Sequence, residues 1–148
     1  MKYRSETEFA IIKAYVDLMG EMPYEKVKVK EVAERSGIAR STFYEYFEDA
    51  LDLVENVEER LLADLSLYRS RSERLGQTVR DMPFESMEHW FDACIAARHT
   101  LGALLGKFGD PYFRSRLQNQ IRRNLNQMMD DDRAPKDKLR PYYVGSAL

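Results

Sequence analysis

Residues 27–47 read VKVKEVAERSGIARSTFYEYF, and the way this stretch divides decides the fold. Two short helical patterns flank Gly37. Val32 and Ala33 form the apolar side of the first, over Lys28–Arg35. A glycine there can take the left-handed conformation that ends a helix, and Ile38 is the expected buried plug of the turn. The second pattern, Arg40–Phe47, places Phe43 and Phe47 four residues apart on one face, which predicts that both point inward. Arg40, Ser41, Thr42, Tyr44 and Tyr46 are left to face outward. A helix, a tight glycine turn and a short polar-aromatic helix make a helix-turn-helix, whose second helix suits a DNA major groove.

The surrounding pattern is all-helical. Strand-like alternation is confined to Val27–Lys30, too short to override its helical neighbours. Glu6–Met19 predicts a first helix with Phe9, Ile12, Val16 and Met19 on one stripe and Ile11, Tyr15 and Leu18 beside it. Gly20 and Pro23 end it. Asp49 is placed to cap a fourth helix, with Asp52 as a capping-box partner. Leu53, Val54, Val57, Leu61, Leu65 and Tyr68 run down that helix, which reaches the 70–74 region. The polar segment 69–81 reads as a connection. Pro83 opens a fifth helix with Phe84, Met87, Trp90, Phe91, Cys94 and Ile95 expected inward. A short apolar segment follows over His99–Lys107. Asp110-Pro111 then starts a seventh helix carrying Phe113, Leu117, Ile121, Leu125 and Met128. A last helix is expected from Lys136. Leu148 ends it within the apolar run YYVGSAL with no cap, which predicts a truncated chain or a remainder that is disordered rather than a short protein.

Over Phe9 to about Leu62 the sequence resembles the DNA-binding domain of the tetracycline-repressor-like (TetR) family of bacterial transcription regulators. The elements that carry the resemblance are IIKAYVDLM at Ile11–Met19, Tyr24, EVAERSGI at Glu31–Ile38 and STFYEYF at Ser41–Phe47. The resemblance implies an all-α fold. Residues 1–48 would be the helix-turn-helix domain and 49–148 a helical effector-binding and dimerisation domain, with helix 49–70 as connector. It also implies a homodimer on a palindromic double-stranded DNA operator, a repressor released by a small-molecule effector. Lys28, Lys30, Arg40, Ser41, Thr42, Tyr44 and Tyr46 are the expected DNA contacts, with Arg40 reading bases. A bidentate arginine on guanine is worth about 1–3 kcal/mol of discrimination. Trp90, Cys94, His99, Phe108, Tyr112, Tyr142 and Tyr143 are candidates for an effector cavity, although plain core packing is the commoner role for such residues.

Several positions depart from the family pattern. Lys28 stands where a Ser or Thr usually caps the second helix; it cannot cap, but it can reach a phosphate. Ala39 replaces the usual serine cap of the third helix, and Ser41 is placed to compensate. Ala50 replaces a phosphate-binding lysine, and Pro23 replaces the glycine before Tyr24.

Charge is the least supportive feature. The net charge is −2, and residues 1–50 hold eight Lys and Arg against ten Asp and Glu. Local placement matters more than net sign. Lys26, Lys28, Lys30 and Arg40 surround the motif, and Lys2 and Arg4 begin the chain. Fewer phosphate contacts and a modest salt slope are expected.

Other function classes find little footing. The single cysteine, Cys94, excludes an intrachain disulfide and fits a reducing cytoplasm. No apolar run approaches membrane-spanning length, and no secretory signal pattern is present. Cys94 lies five residues from both His89 and His99, about 500° around a helix, so they share no face. Glu85 and His89 sit four apart but read as a solvated pair. Two histidines make no metal cluster, and no cofactor is expected. The rival readings are a regulator whose second domain docks a protein and a dimeric helical scaffold that has lost DNA binding; a helical enzyme lacks a catalytic constellation.

Overall fold

The computed structural model describes residues 3–74 and 83–130, with side chains over 3–65 and 90–123. Within these bounds the chain is helical, and no strand occurs among the described residues.

Helix α1 spans Glu6–Met19. Ser5 caps it, its Oγ accepting from Glu8 N at 3.1 Å, and Glu6 and Glu8 place negative charge at the positive end of the helix dipole. Ile11, Ile12, Tyr15, Val16, Leu18 and Met19 are buried. Phe9, expected inward, is 46% exposed and packs edge-on against Tyr3 with ring centroids 4.9 Å apart. The inward position of that turn belongs instead to Glu8, which is fully buried. Glu8 lies three, four and seven residues before Ile11, Ile12 and Tyr15, on the same helical stripe.

A single 3₁₀ turn, Tyr24–Lys26, leads into α2, Val29–Ser36. Glu31 Oε2 accepts from Lys28 N at 3.0 Å. The reverse half of a capping box is chemically impossible, because the Lys28 ammonium has no acceptor. Gly37 ends α2 at φ 72°, the conformation its missing Cβ allows, and Ile38 N donates to Ala33 O at 3.1 Å to close the helix. Ile38 is half-buried against the core.

Helix α3 is Arg40–Tyr44, shorter than the expected Arg40–Phe47. After Tyr44 the hydrogen bonds tighten: Tyr46 N and Phe47 N both donate to Phe43 O, at 3.0 and 3.1 Å. The turn still carries Phe47 round to the face of Phe43, so both phenylalanines are buried. No side chain caps α3 at Ala39, and among the described residues Ser41 makes no compensating hydrogen bond.

Helix α4, Ala50–Arg74, starts as the sequence predicts. Asp49 Oδ1 accepts from Leu51 N and Asp52 N, both at 2.8 Å, while Asp52 Oδ2 accepts from Glu48 N at 2.9 Å. Its buried stripe is Leu53, Val54, Val57, Leu61 and Leu65, and it includes a second buried acid, Glu58. At about 1.5 Å per residue, α4 is the longest helix among the described residues. It packs on α5 (Pro83–Ala96) and α7 (Pro111–Asp130), while α1 packs on α2 and on α6 (Arg98–Leu105). Asp110 caps α7, Oδ1 accepting from Tyr112 N at 2.8 Å. Gly109 permits the α6–α7 turn, since a Cβ there would lie 2.0 Å from Leu104 O. Helix α5 turns only part of the expected face inward: Cys94 packs against the core and Trp90 is half-buried. Ala93 is buried, whereas Phe91 and Ile95 are 51% and 59% exposed. The connection 75–82, the helix from Lys136, and Tyr142 and Tyr143 lie outside the described residues.

Candidate nucleic-acid interface

The site begins with the short helix α3, which owes its orientation to two anchors. Phe43 and Phe47 are 0% and 2% exposed, with ring centroids 5.8 Å apart, and they pin the back of α3 to the core built by α1 and α4. A helix held on one side presents the other. Arg40 and Ser41 are exposed, Thr42 is half-buried, and Tyr44 is 57% exposed, its ring edge-on to Phe43.

Helix α2 sits beside this face and is fixed from behind. Arg35 makes a bidentate bond to Glu21 at 2.6 and 2.9 Å, tying the end of α2 to the turn after α1. Lys28 and Lys30 are exposed on the approach to α2. Lys30 Nζ is 3.8 Å from Glu34 Oε1, a solvated pair. Among the described residues neither Lys28 Nζ nor the Arg40 guanidinium has an ion-pair partner. Both cations are therefore available to an anion.

Tyr46 departs from the expected outward position. It is half-buried, its hydroxyl 2.9 Å from Ser5 Oγ, and the Arg4 guanidinium lies over its ring at 5.8 Å from the centroid. The phenol thus joins the end of α3 to the cap of α1, the packing role its ring also serves beside Phe47.

Sequence reasoning missed the ionic joints behind this surface. Glu8 accepts from Arg4 N at 2.5 Å, from Arg4 Nε at 2.7 Å and from Arg60 of α4 at 2.9 Å. Burial pushes the Glu8 carboxyl up, but the bonds to Arg60 and Arg4 outweigh it and hold the group at about 2. Glu58, on the opposite flank of α4, faces Arg116 of α7, which also lies 3.7 Å from Asp110. Tyr24 N donates to Phe108 O at 2.9 Å, and His99 Nε2 is 2.8 Å from Asp17 Oδ1, so the α6–α7 region touches α1 and its following turn directly. The available signal was positional. Residues 8 and 58 fall on buried stripes, where a charge predicts a partner from another helix.

The described residues proposed for an effector cavity differ in exposure. Trp90, Cys94 and Phe108 are half-buried, Phe108 lying beneath Lys107, while His99 is exposed and Tyr112 is 74% exposed. Burial pushes the Cys94 thiol up, which disfavours a thiolate. An open groove of about 520 Å³ lies between α1, α2 and α6, lined by Asp17, Glu21, Arg35, Arg98 and His99 among others; among the described residues of the expected set, only His99 lines it. Among the described residues no three metal-ligating groups cluster, and no helix is long and apolar enough to cross a membrane.

The family described as "Bacterial regulatory proteins, tetR family" matches residues 11–57, the stretch that contains α2, α3 and both phenylalanine anchors. No curated protein matches the chain. Among solved structures, the fatty acid degradation regulator FadR from Bacillus halodurans is 20% identical, with a TM-score of 0.56 over 87% of this chain and 68% of that one. A protein of Lactobacillus plantarum described as a transcription regulator is 22% identical, with a TM-score of 0.46 over 79% and 70% of the two chains. At such identities the FadR likeness is one of fold. The family match falls on the helix-turn-helix itself, so that residues 11–57 are what this chain shares with the tetR family of bacterial regulatory proteins.

Proposed function

We propose that the protein regulates transcription in the cytoplasm by binding a palindromic operator as a homodimer, most simply as a repressor that an effector releases. In this reading residues 1–48 are the DNA-binding unit and 49–148 the effector-binding and dimerisation unit. The observation that carries it is the two-sided build of α3: Phe43 and Phe47 are buried while Arg40, Ser41 and Tyr44 are exposed. Arg40 reads a base edge. Thr42 and Tyr44 hold phosphates or base edges, Ser41 supplies a hydroxyl, and Lys28 and Lys30 supply backbone charge. One five-residue helix buries little surface, so two copies at half-sites one helical turn apart supply affinity and register.

Release follows from the joints to α4, α6 and α7. A ligand that favours one arrangement of these helices would move α1 through His99–Asp17 and Tyr24–Phe108, and α4 through Glu58–Arg116, which changes the spacing of the two recognition helices. The test is selection of bound duplexes from a random pool, with the stoichiometry measured by sedimentation. A dyad-symmetric consensus bound by two protomers is the expected result; recovery of no enriched duplex would refute the reading. One observation favours a second reading, docking of a protein by the second domain: Phe91 and Ile95, four apart on α5, are both exposed.

A further inference from the structure

We infer that Arg4, which precedes α1, is a preorganised phosphate clamp that extends the DNA footprint past the C-terminal end of α3. The inference rests on the DNA-binding reading of α3. Arg4 is held at three points. Its backbone N–H and its Nε donate to the two oxygens of Glu8, at 2.5 and 2.7 Å, and its guanidinium lies 5.8 Å from the centre of the Tyr46 ring. Glu8 is fully buried, and the oxygen that accepts from Arg4 Nε also accepts from Arg60, so the carboxylate that holds Nε is itself fixed. Tyr46 is itself fixed by the 2.9 Å bond to Ser5.

What remains free is the business end of the guanidinium. The Arg4 side chain is 59% exposed, and among the described residues its two terminal nitrogens have no hydrogen-bond partner. An arginine in this state has already lost much of the rotamer freedom that binding would otherwise cost. Its remaining N–H groups match the oxygens of a phosphodiester. Position selects the ligand. Tyr46 stands two residues beyond the exposed Tyr44, so Arg4 flanks the far end of the segment that Arg40 begins. Two guanidiniums bracket α3. With the intervening side chains in the groove, the second one meets the sugar-phosphate strand bordering it.

A phosphate contact is blind to sequence, so no operator need be known. The experiment measures anisotropy of a labelled random-sequence duplex of about 30 base pairs, titrated with the full chain between about 50 and 200 mM salt. Arg4→Ala should lower the slope of log K against log salt by about 0.9 per protomer. Over that fourfold salt range the wild-type affinity should fall about threefold more steeply per protomer than the variant's. Arg4→Lys keeps the charge but loses the Nε fork and the planar face; it should restore the slope while recovering only part of the affinity. A purely structural Arg4 would instead change the melting temperature of both variants alike and leave both slopes at the wild-type value, and that result overturns the inference. A wild-type chain that binds no duplex at low salt refutes the α3 reading and the clamp together, whereas wild-type binding with an unchanged Arg4→Ala slope refutes the clamp alone.

Discussion

The Glu8 carboxylate of α1 accepts a hydrogen bond at 2.9 Å from the Arg60 guanidinium of α4, across 52 residues of sequence. The acid is fully buried and its partner half-buried, and the bond joins the first helix of the helix-turn-helix unit to the helix that leads away from it.

Acid should release this joint. Burial alone would raise the Glu8 carboxyl, but Arg60 and Arg4 hold it at about 2, below its ordinary value of 4.5. A carboxyl lowered in the folded state stabilises the fold above its unfolded value, and that contribution fades as pH falls from about 4.5 through about 2. Urea midpoints measured from pH 6 downward should decline through this window in the wild type and decline less in Glu8→Gln. Equal slopes for the two proteins would show that Glu8 is not the group responsible.

Removing the partner should cost more than removing a surface charge. Arg60→Ala leaves Glu8 buried with Arg4 as its remaining cation, and a destabilisation of about 3 kcal/mol is expected. Arg35→Ala breaks a bidentate bond to an exposed Glu21 and should cost no more than about 1 kcal/mol. Chemical denaturation of the two variants side by side gives the order.

The two faces of α3 should separate stability from binding. Phe43→Ala empties a fully buried site and should cost about 3–5 kcal/mol. Tyr44→Ala, at 57% exposure, should change stability by less than about 1 kcal/mol while weakening duplex binding. A Tyr44→Ala protein that melts early but binds DNA normally would reverse this assignment.

On the exposed face proposed to bind DNA, Arg40 and Lys28 should behave differently. Arg40→Ala should relax base preference at one position of each half-site, by about 1–3 kcal/mol. Lys28→Ala should weaken all duplexes alike and flatten the salt dependence by about 0.9 per protomer. Competition between matched and mismatched duplexes distinguishes the two, and an Arg40→Ala protein with unchanged preference would remove Arg40 from the base-reading set.

Gly37 tests the turn by itself. Its φ is 72° and a Cβ there would meet nothing within 4 Å, so Gly37→Ala isolates backbone strain from crowding. A loss of about 1–2 kcal/mol is expected, with Gly37→Asn losing less because asparagine tolerates the left-handed region. Thermal melts of the two variants supply the comparison.

The helix-turn-helix was legible because its determinants are local. Phe43 and Phe47 share a face through helical periodicity, Gly37 carries its own turn, and the Asp49 and Asp110 caps bond to amides two and three residues on. Such interactions lie within one turn of chain and leave their marks in spacing. The errors fall where periodicity is ambiguous by one residue. Phe9 and Glu8 differ by about 100° on α1, and Phe9 went outward because Arg60 arrived from another helix to receive Glu8. Phe91 and Ile95 each lie two residues, about 200°, from the buried Ala93 on α5, and both are exposed.

The sequence by itself therefore determined the helical class, the glycine turn, the two phenylalanine anchors and the exposure of Arg40, Ser41 and Tyr44. Only the tertiary structure decided that Glu8 and Glu58 go inside, that the hydroxyls of Tyr46 and Ser5 pair, and that Arg4 is held against Tyr46 beyond α3. The physical reason is the range of the forces involved. Caps, turns and helical faces are settled between residues a few positions apart, whereas a buried charge is tolerable only beside a counter-charge that folding brings from elsewhere in the chain.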